Sequence, residues 1–184
     1  LFDDGYADGS LQAANGARPA GPFRGGKYRI SNGGTRLPFI TWWPGQIKPD
    51  VSDALISHVD LLASLTDLAG ASRPKNAGPD SVDLRDALLG RTKTGRRELV
   101  EQSPNRLAIR QGTSKYIPPG KVLHWRALAI PDNTAGPADW PQAQLYNLAD
   151  DAAETNNLAA KYPDKVKELA ALLKRIQRGD VSSN

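Results

Sequence analysis

The chain has 184 residues, 39% of them hydrophobic, with no cysteine and a formal charge of +4; its mean hydropathy is −0.50 and its pI about 9.4. The lack of cysteine excludes disulfides and thiolate metal sites, and no apolar run approaches the roughly 18 residues needed to span a bilayer. Residues through Thr92 are neutral and those from Lys93 carry the whole +4, spread over a connector, strand positions and the last helix, which points to a solvated face rather than a nucleic-acid footprint.

The first 36 residues are polar and Gly-rich and read as loop. Residues 37–42, Leu-Pro-Phe-Ile-Thr-Trp, read as a strand entering the core, ended by a turn at Pro44-Gly45. Ser57 is an N-cap candidate with Asp60 three residues on. Val59, Leu62, Leu65 and Ala69 recur at helical spacing and predict a core helix that stops at Gly70. A short helix follows over 83–89, closed by Gly90. The charged stretch 92–97 marks a boundary, which divides the chain into 1–92 and 93–184. Beyond it, 98–102 and 107–110 read as strands. Gln111-Gly-Thr-Ser114 turns the chain back into a strand at 115–117, an antiparallel hairpin. Residues 118–141 hold five prolines and read as irregular loop with a short strand at 128–130. Another strand spans 144–148. The last helix opens near Pro163 and carries a stripe of Val166, Leu169, Ala170, Leu173 and Ile176. Basic residues favour its C-terminal end, and Gly179 stops it.

Among residue types that carry chemistry, Lys27 follows the pair Gly25-Gly26, where the lack of Cβ permits positive φ and close approach of a ligand. Its ammonium would offer three donors to an anionic oxygen. Gly21, Gly26 and Lys27 fit part of a P-loop, but Tyr28 stands where a hydroxyl must hold Mg²⁺. No Gly-x-Ser-x-Gly elbow supports a serine triad. Asp3-Asp4 provides too few carboxylates for a hard-cation site. His58, at the opening of a core helix, reads as packing or capping. His124, beside Trp125 in the irregular loop, is placed to line a substrate entrance.

Gly25-Gly-Lys27, Asn32-Gly-Gly-Thr-Arg-Leu-Pro-Phe-Ile40 and Trp43-Pro-Gly45 together resemble the type I, formylglycine-dependent sulfatases. The resemblance continues through residues 51–62 and 65–70, then Gln144-Leu-Tyr-Asn-Leu-Ala-Asp-Asp151 and Glu154-Thr-Asn-Asn-Leu-Ala159. Asn32 departs from the Glu-Gly-Gly of many relatives. The resemblance implies an α/β chain: the end of an alkaline-phosphatase-like catalytic domain over 1–92, then a small α+β C-terminal subdomain, an antiparallel sheet plus one helix, over 93–184. It implies that Lys27 contacts the sulfate ester. Arg36, which leads into the expected strand, reads equally as a brace of the loop through a carboxylate or as an exposed arginine. The family's Cys/Ser-x-Pro-x-Arg nucleophile motif is missing; Ser72-Arg-Pro-Lys-Asn76 is the nearest miss. The nucleophile and the Ca²⁺ ligands are therefore expected upstream, no metal is assigned here, and the isolated chain is expected to be inactive. The implied partners are a sulfate-ester substrate, with sulfated carbohydrate as the class, and the N-terminal part of the catalytic domain; neither nucleic acid nor membrane is implied. The implied compartment is periplasmic or secreted. A non-catalytic module binding anionic glycans on its basic half is the alternative reading, and a phosphatase relative would share the fold.

Overall fold

A computed structural model describes residues 20–26, 29–74, 76–104, 106–120 and 142–179. The chain divides into two compact units: Leu1–Leu37 with Val100–Leu173, and Pro38–Leu99 with Lys174–Asn184.

The first unit is organised by a four-stranded sheet in the order β1-β2-β3-β4, with β1 at Glu98–Ser103, β2 at Arg106–Gln111, β3 at Ser114–Ile117 and β4 at Gln144–Asn147. The strands coincide with those predicted, within one or two residues at each end. β2 and β3 form the expected antiparallel hairpin, with Gln111 opposite Ser114 across Gly112-Thr113. β3 pairs antiparallel with β4, Tyr116 opposite Leu145 and Lys115 opposite Tyr146. Alternation along the strands then sorts the side chains onto two faces. One face carries Ile109, Gln111, Tyr116 and Leu145. The other carries Ala108, Lys115, Ile117, Gln144 and Tyr146.

Gln111 on the first face accepts a hydrogen bond from Lys165 Nζ at 3.1 Å, so this is the face that receives the last helix. That helix spans Pro163–Gln177. Its predicted stripe is inward for Leu169 and Leu173, and Leu172 joins them. On the second face Ile30 packs into one apolar cluster with Ala108, Ile117, Tyr146 and Leu148. The Gly-rich segment, read from sequence as loop, thus packs against this sheet face through Ile30. Among its described residues the regular element is α1, a single turn at Asn32–Thr35.

In the second unit, a 3₁₀ turn at His58–Asp60 leads into α2, Leu61–Leu68. The Ser57 N–H donates to Asp60 Oδ2 at 2.9 Å, as the capping-box spacing requires. Gly70 ends the helix with φ +66°. α3 is the single turn Arg85–Leu88, followed by Gly90 as expected, and the last helix is α4. The turn at Pro44-Gly45 forms, with the Gln46 and Ile47 N–H groups donating to the Trp43 carbonyl.

Three expectations fail here. Residues 37–42 form no strand, and Leu37, Ile40 and Trp42 are exposed; no strand among the described residues supplies the hydrogen-bond ladder that a strand requires. The leucine stripe of α2 faces outward, with Leu62 46% and Leu65 52% exposed, while Asp60, Ala63 and Ser64 are buried. The helix is held through its polar side instead: Ala63 N–H donates to Ser81 Oγ and Leu84 N–H to Ser64 Oγ, each at 2.8 Å. His58 is exposed, so its side chain does not pack; its carbonyl accepts the Leu61 N–H.

Candidate functional site

Lys27 and His124, the two residues singled out from sequence, lie outside the described residues, as do Asp3-Asp4 and the strand expected at 128–130. The described residues on either side of Lys27 are those of a tightly built double-glycine crossing. Gly25 sits at φ +74°, a conformation that L side chains rarely adopt. The Gly33 N–H donates to the Arg24 carbonyl at 2.8 Å, and the Arg29 N–H donates to the Gly26 carbonyl at 3.0 Å. A Cβ on Gly33 would lie 2.5 Å from both the Arg24 and Gly25 carbonyl oxygens, and one on Gly34 would strike the Arg29 and Gly26 carbonyls. The second glycine pair is therefore spent on close approach to the backbone of the first, while a Cβ on Gly25 would strike Ser31 Oγ.

Beneath the crossing lies a buried ionic cradle. Lys115, fully buried on β3, places Nζ 2.7 Å from Glu101 Oε2 and 3.0 Å from Glu154 Oε1. It also donates to Asn32 Oδ1 at 3.2 Å. Glu154 Oε2 accepts the Asn32 backbone N–H at 2.7 Å and lies 3.8 Å from Arg24 Nη2. The Asn32 amide donates to the Ala152 carbonyl at 2.9 Å, and Thr35 Oγ1 donates to Glu101 at 3.0 Å. Arg24 donates to Tyr146 Oη and Gln144 Oε1, each at 3.2 Å, and its guanidinium stands 5.1 Å from the Tyr146 ring centre. Two cations and two carboxylates balance, the condition under which buried charge is tolerated. Burial pushes the Tyr146 phenol above its usual range, and the Arg24 charge offsets this only in part.

Glu154 reaches this position from a strained turn. It is 1% exposed and takes φ +55°, the only positive value for a non-glycine among the described residues. Asp151 shapes that turn, accepting the Thr155 and Asn156 N–H groups at 2.9 and 2.8 Å. Burial raises the Asp151 carboxyl, but these bonds outweigh it and hold the group below its ordinary value. The Asp150-Asp151 and Glu154 cluster is thus a structural turn. Of the two readings of Arg36, the exposed one holds: the side chain is exposed and lies over the Phe23 ring at 4.8 Å.

A further buried charge pair among the described residues belongs to the second unit. Asp60 receives the Arg96 guanidinium, with Nε at 2.8 Å from Oδ2 and Nη2 bonded to Oδ1, and also the Val82 N–H at 3.0 Å. No group of three or more His, Asp or Glu among the described residues could hold a metal ion. Their buried carboxylates are committed to lysine, arginine and backbone N–H groups, so they do not fit the divalent cation that the sequence resemblance places upstream.

Sequence reasoning missed the cradle. Lys115, Glu101 and Glu154 look like ordinary surface charges in strands and turns; the one available signal was a lysine leading directly into Tyr116-Ile117 in a short strand.

A family model described as Sulfatase matches residues 9–71. The N-acetylgalactosamine-6-O-sulfatase of Bacteroides thetaiotaomicron is 38% identical over 181 residues, covering 96% of this chain and 34% of that protein. Human arylsulfatase A is 33% identical over 172 residues, covering 86% of this chain and 33% of that protein. A solved Bacteroides thetaiotaomicron structure, described in connection with the metabolism of multiple glycosaminoglycans, superposes with a TM-score of 0.81 at 37% identity, over 93% of this chain and 35% of that one. A Pseudoalteromonas sulfatase shares the fold at a TM-score of 0.66 and 22% identity. The chain spans about a third of the length of these relatives.

Proposed function

The chain belongs to the sulfatase family, matching its C-terminal part and its alkaline-phosphatase-like α/β fold, and on that premise we propose that it is the segment of a sulfuric ester hydrolase that supplies the sulfate-contacting lysine. The observation that carries this reading is 38% identity to an N-acetylgalactosamine-6-O-sulfatase over 96% of this chain. That relative also favours a sulfated carbohydrate as the substrate class. Residues 1–92 would belong to the catalytic domain of the parent and 93–184 to its C-terminal subdomain.

Lys27 would neutralise the sulfuryl oxygens and the oxygen that leaves as the S–O bond breaks. A fixed charge aimed at charge that develops in the transition state is often the largest catalytic term, and loss of one such group costs about 10²–10³ in rate. The double-glycine crossing supports this assignment, because it fixes the chain on both sides of Lys27. His124 is assigned to the substrate entrance. A formylglycine nucleophile and a divalent cation, Ca²⁺ by the family pattern, would be held by residues upstream of this chain. Such a cation would polarise the ester and hold the nucleophile.

The test is sulfate release from N-acetylgalactosamine 6-sulfate, followed by ion chromatography, using the full-length enzyme. Wild type should release sulfate, Lys27→Ala should lose about 10²–10³ in kcat/KM, and the isolated 184-residue chain should release none. A full-length enzyme that leaves both this sugar and 4-nitrophenyl sulfate intact would overturn the reading, and salt-sensitive retention on sulfated polysaccharide would then favour a binding module.

A further inference from the structure

We propose that Glu154, with Lys115 as its counter-ion, is a positioning residue for the lysine loop: it acts on the reaction through Lys27 without touching the substrate. The proposal rests on the reading of Lys27 as the sulfate contact.

The argument begins with where Glu154 spends its oxygens. Oε2 takes the backbone N–H of Asn32, 122 residues away in sequence, the residue that opens the second glycine pair. Oε1 faces Lys115 Nζ at 3.0 Å. Lys115 reaches back to Asn32 Oδ1, so the same residue is gripped at its backbone and at its side chain. Arg24, at the other end of the loop, stands 3.8 Å from Glu154 Oε2, and its carbonyl holds Gly33 N–H. Both ends of the segment that carries Lys27 are thereby referred to one carboxylate.

A purely structural ion pair would not need this arrangement. An apolar pair of similar volume is often as stable as a buried salt bridge, and Glu154 adds a backbone strain that costs of order 1–3 kcal/mol. Charge and strain directed at one backbone N–H of a glycine loop are what fixing the loop position requires. A displacement of about 1 Å in a group that contacts the reacting centre costs on the order of a hundredfold in rate.

The experiment is a double-mutant cycle in the full-length enzyme, reading kcat/KM for sulfate release from 4-nitrophenyl sulfate alongside the thermal midpoint. Glu154→Gln should lower kcat/KM on the order of a hundredfold in the wild-type background and leave it nearly unchanged when Lys27→Ala is already present. Its effect on the thermal midpoint should be the same in both backgrounds. Thr35→Val, which keeps shape and removes only the hydroxyl between Lys115 and Glu101, should show the same non-additivity at roughly tenfold, and it decides the matter if Glu154→Gln fails to fold. Equal losses in both backgrounds would overturn the positioning role and leave the Lys27 reading standing. An unchanged kcat/KM in Lys27→Ala alone would overturn that reading and this inference with it.

Discussion

The sheet unit and helix α2 invert the usual distribution of polarity in opposite directions. The sheet unit buries Arg24, Lys115 and Glu154, at 5%, 0% and 1% exposure, while α2 and the segment before it leave Ile40 at 87%, Trp42 at 83% and Leu65 at 52%. The difference lies in where the partners are. Every charge of the cradle finds its counter-charge within this chain, brought together by strand register and the glycine crossing. Ile40, Trp42 and Leu65 find no such cover among the described residues, and exposed apolar surface of this kind is what a larger fold or a partner covers.

That contrast can be broken most forcefully at Lys115. Lys115→Ala strands Glu101 and Glu154 in a dry site and should destabilise the protein by about 3–5 kcal/mol, read by urea denaturation. A loss below about 1 kcal/mol would mean that the cradle is wetter than its geometry implies. Asp151→Ala removes the bonds that form the Glu154 turn and should cost about 1 kcal/mol, the worth of a largely solvated hydrogen bond. Because the Asp151 carboxyl is held below its ordinary value of 3.8, its contribution is complete above that pH and fades as pH falls through the lowered folded value. Stability curves of wild type and Asp151→Ala should therefore converge under strong acid. The smallest effect on stability is expected from Ile40→Ser with Trp42→Ser in the isolated chain, within about 0.5 kcal/mol. Light scattering should show the double variant self-associating less than wild type. An equal cost at Ile40 and at Lys115 would erase the distinction between the two regions.

Much of the local structure was legible beforehand because its determinants are local. The Ser57 and Asp60 cap, the Gly112-Thr113 hairpin, the stop at Gly70 and the stripe of the last helix each depend on residues within a few positions of one another. The strand at 37–42 and the inward stripe of α2 were misjudged for the converse reason. Apolar periodicity reports which face wants cover, not whether cover is present.

The amino-acid sequence by itself determined the family, the order of the elements and the place of Lys27 between two glycine pairs, since these are carried by short motifs and their spacing. Only the tertiary structure decided that the glycine pairs pack on each other, that Glu154 grips Asn32 across 122 residues, and that Lys115 is buried. A charged residue on a strand or turn carries no local mark of its partner, and the low-dielectric site in which that pairing matters exists only once β3, the Glu154 turn and the glycine segment have been folded together.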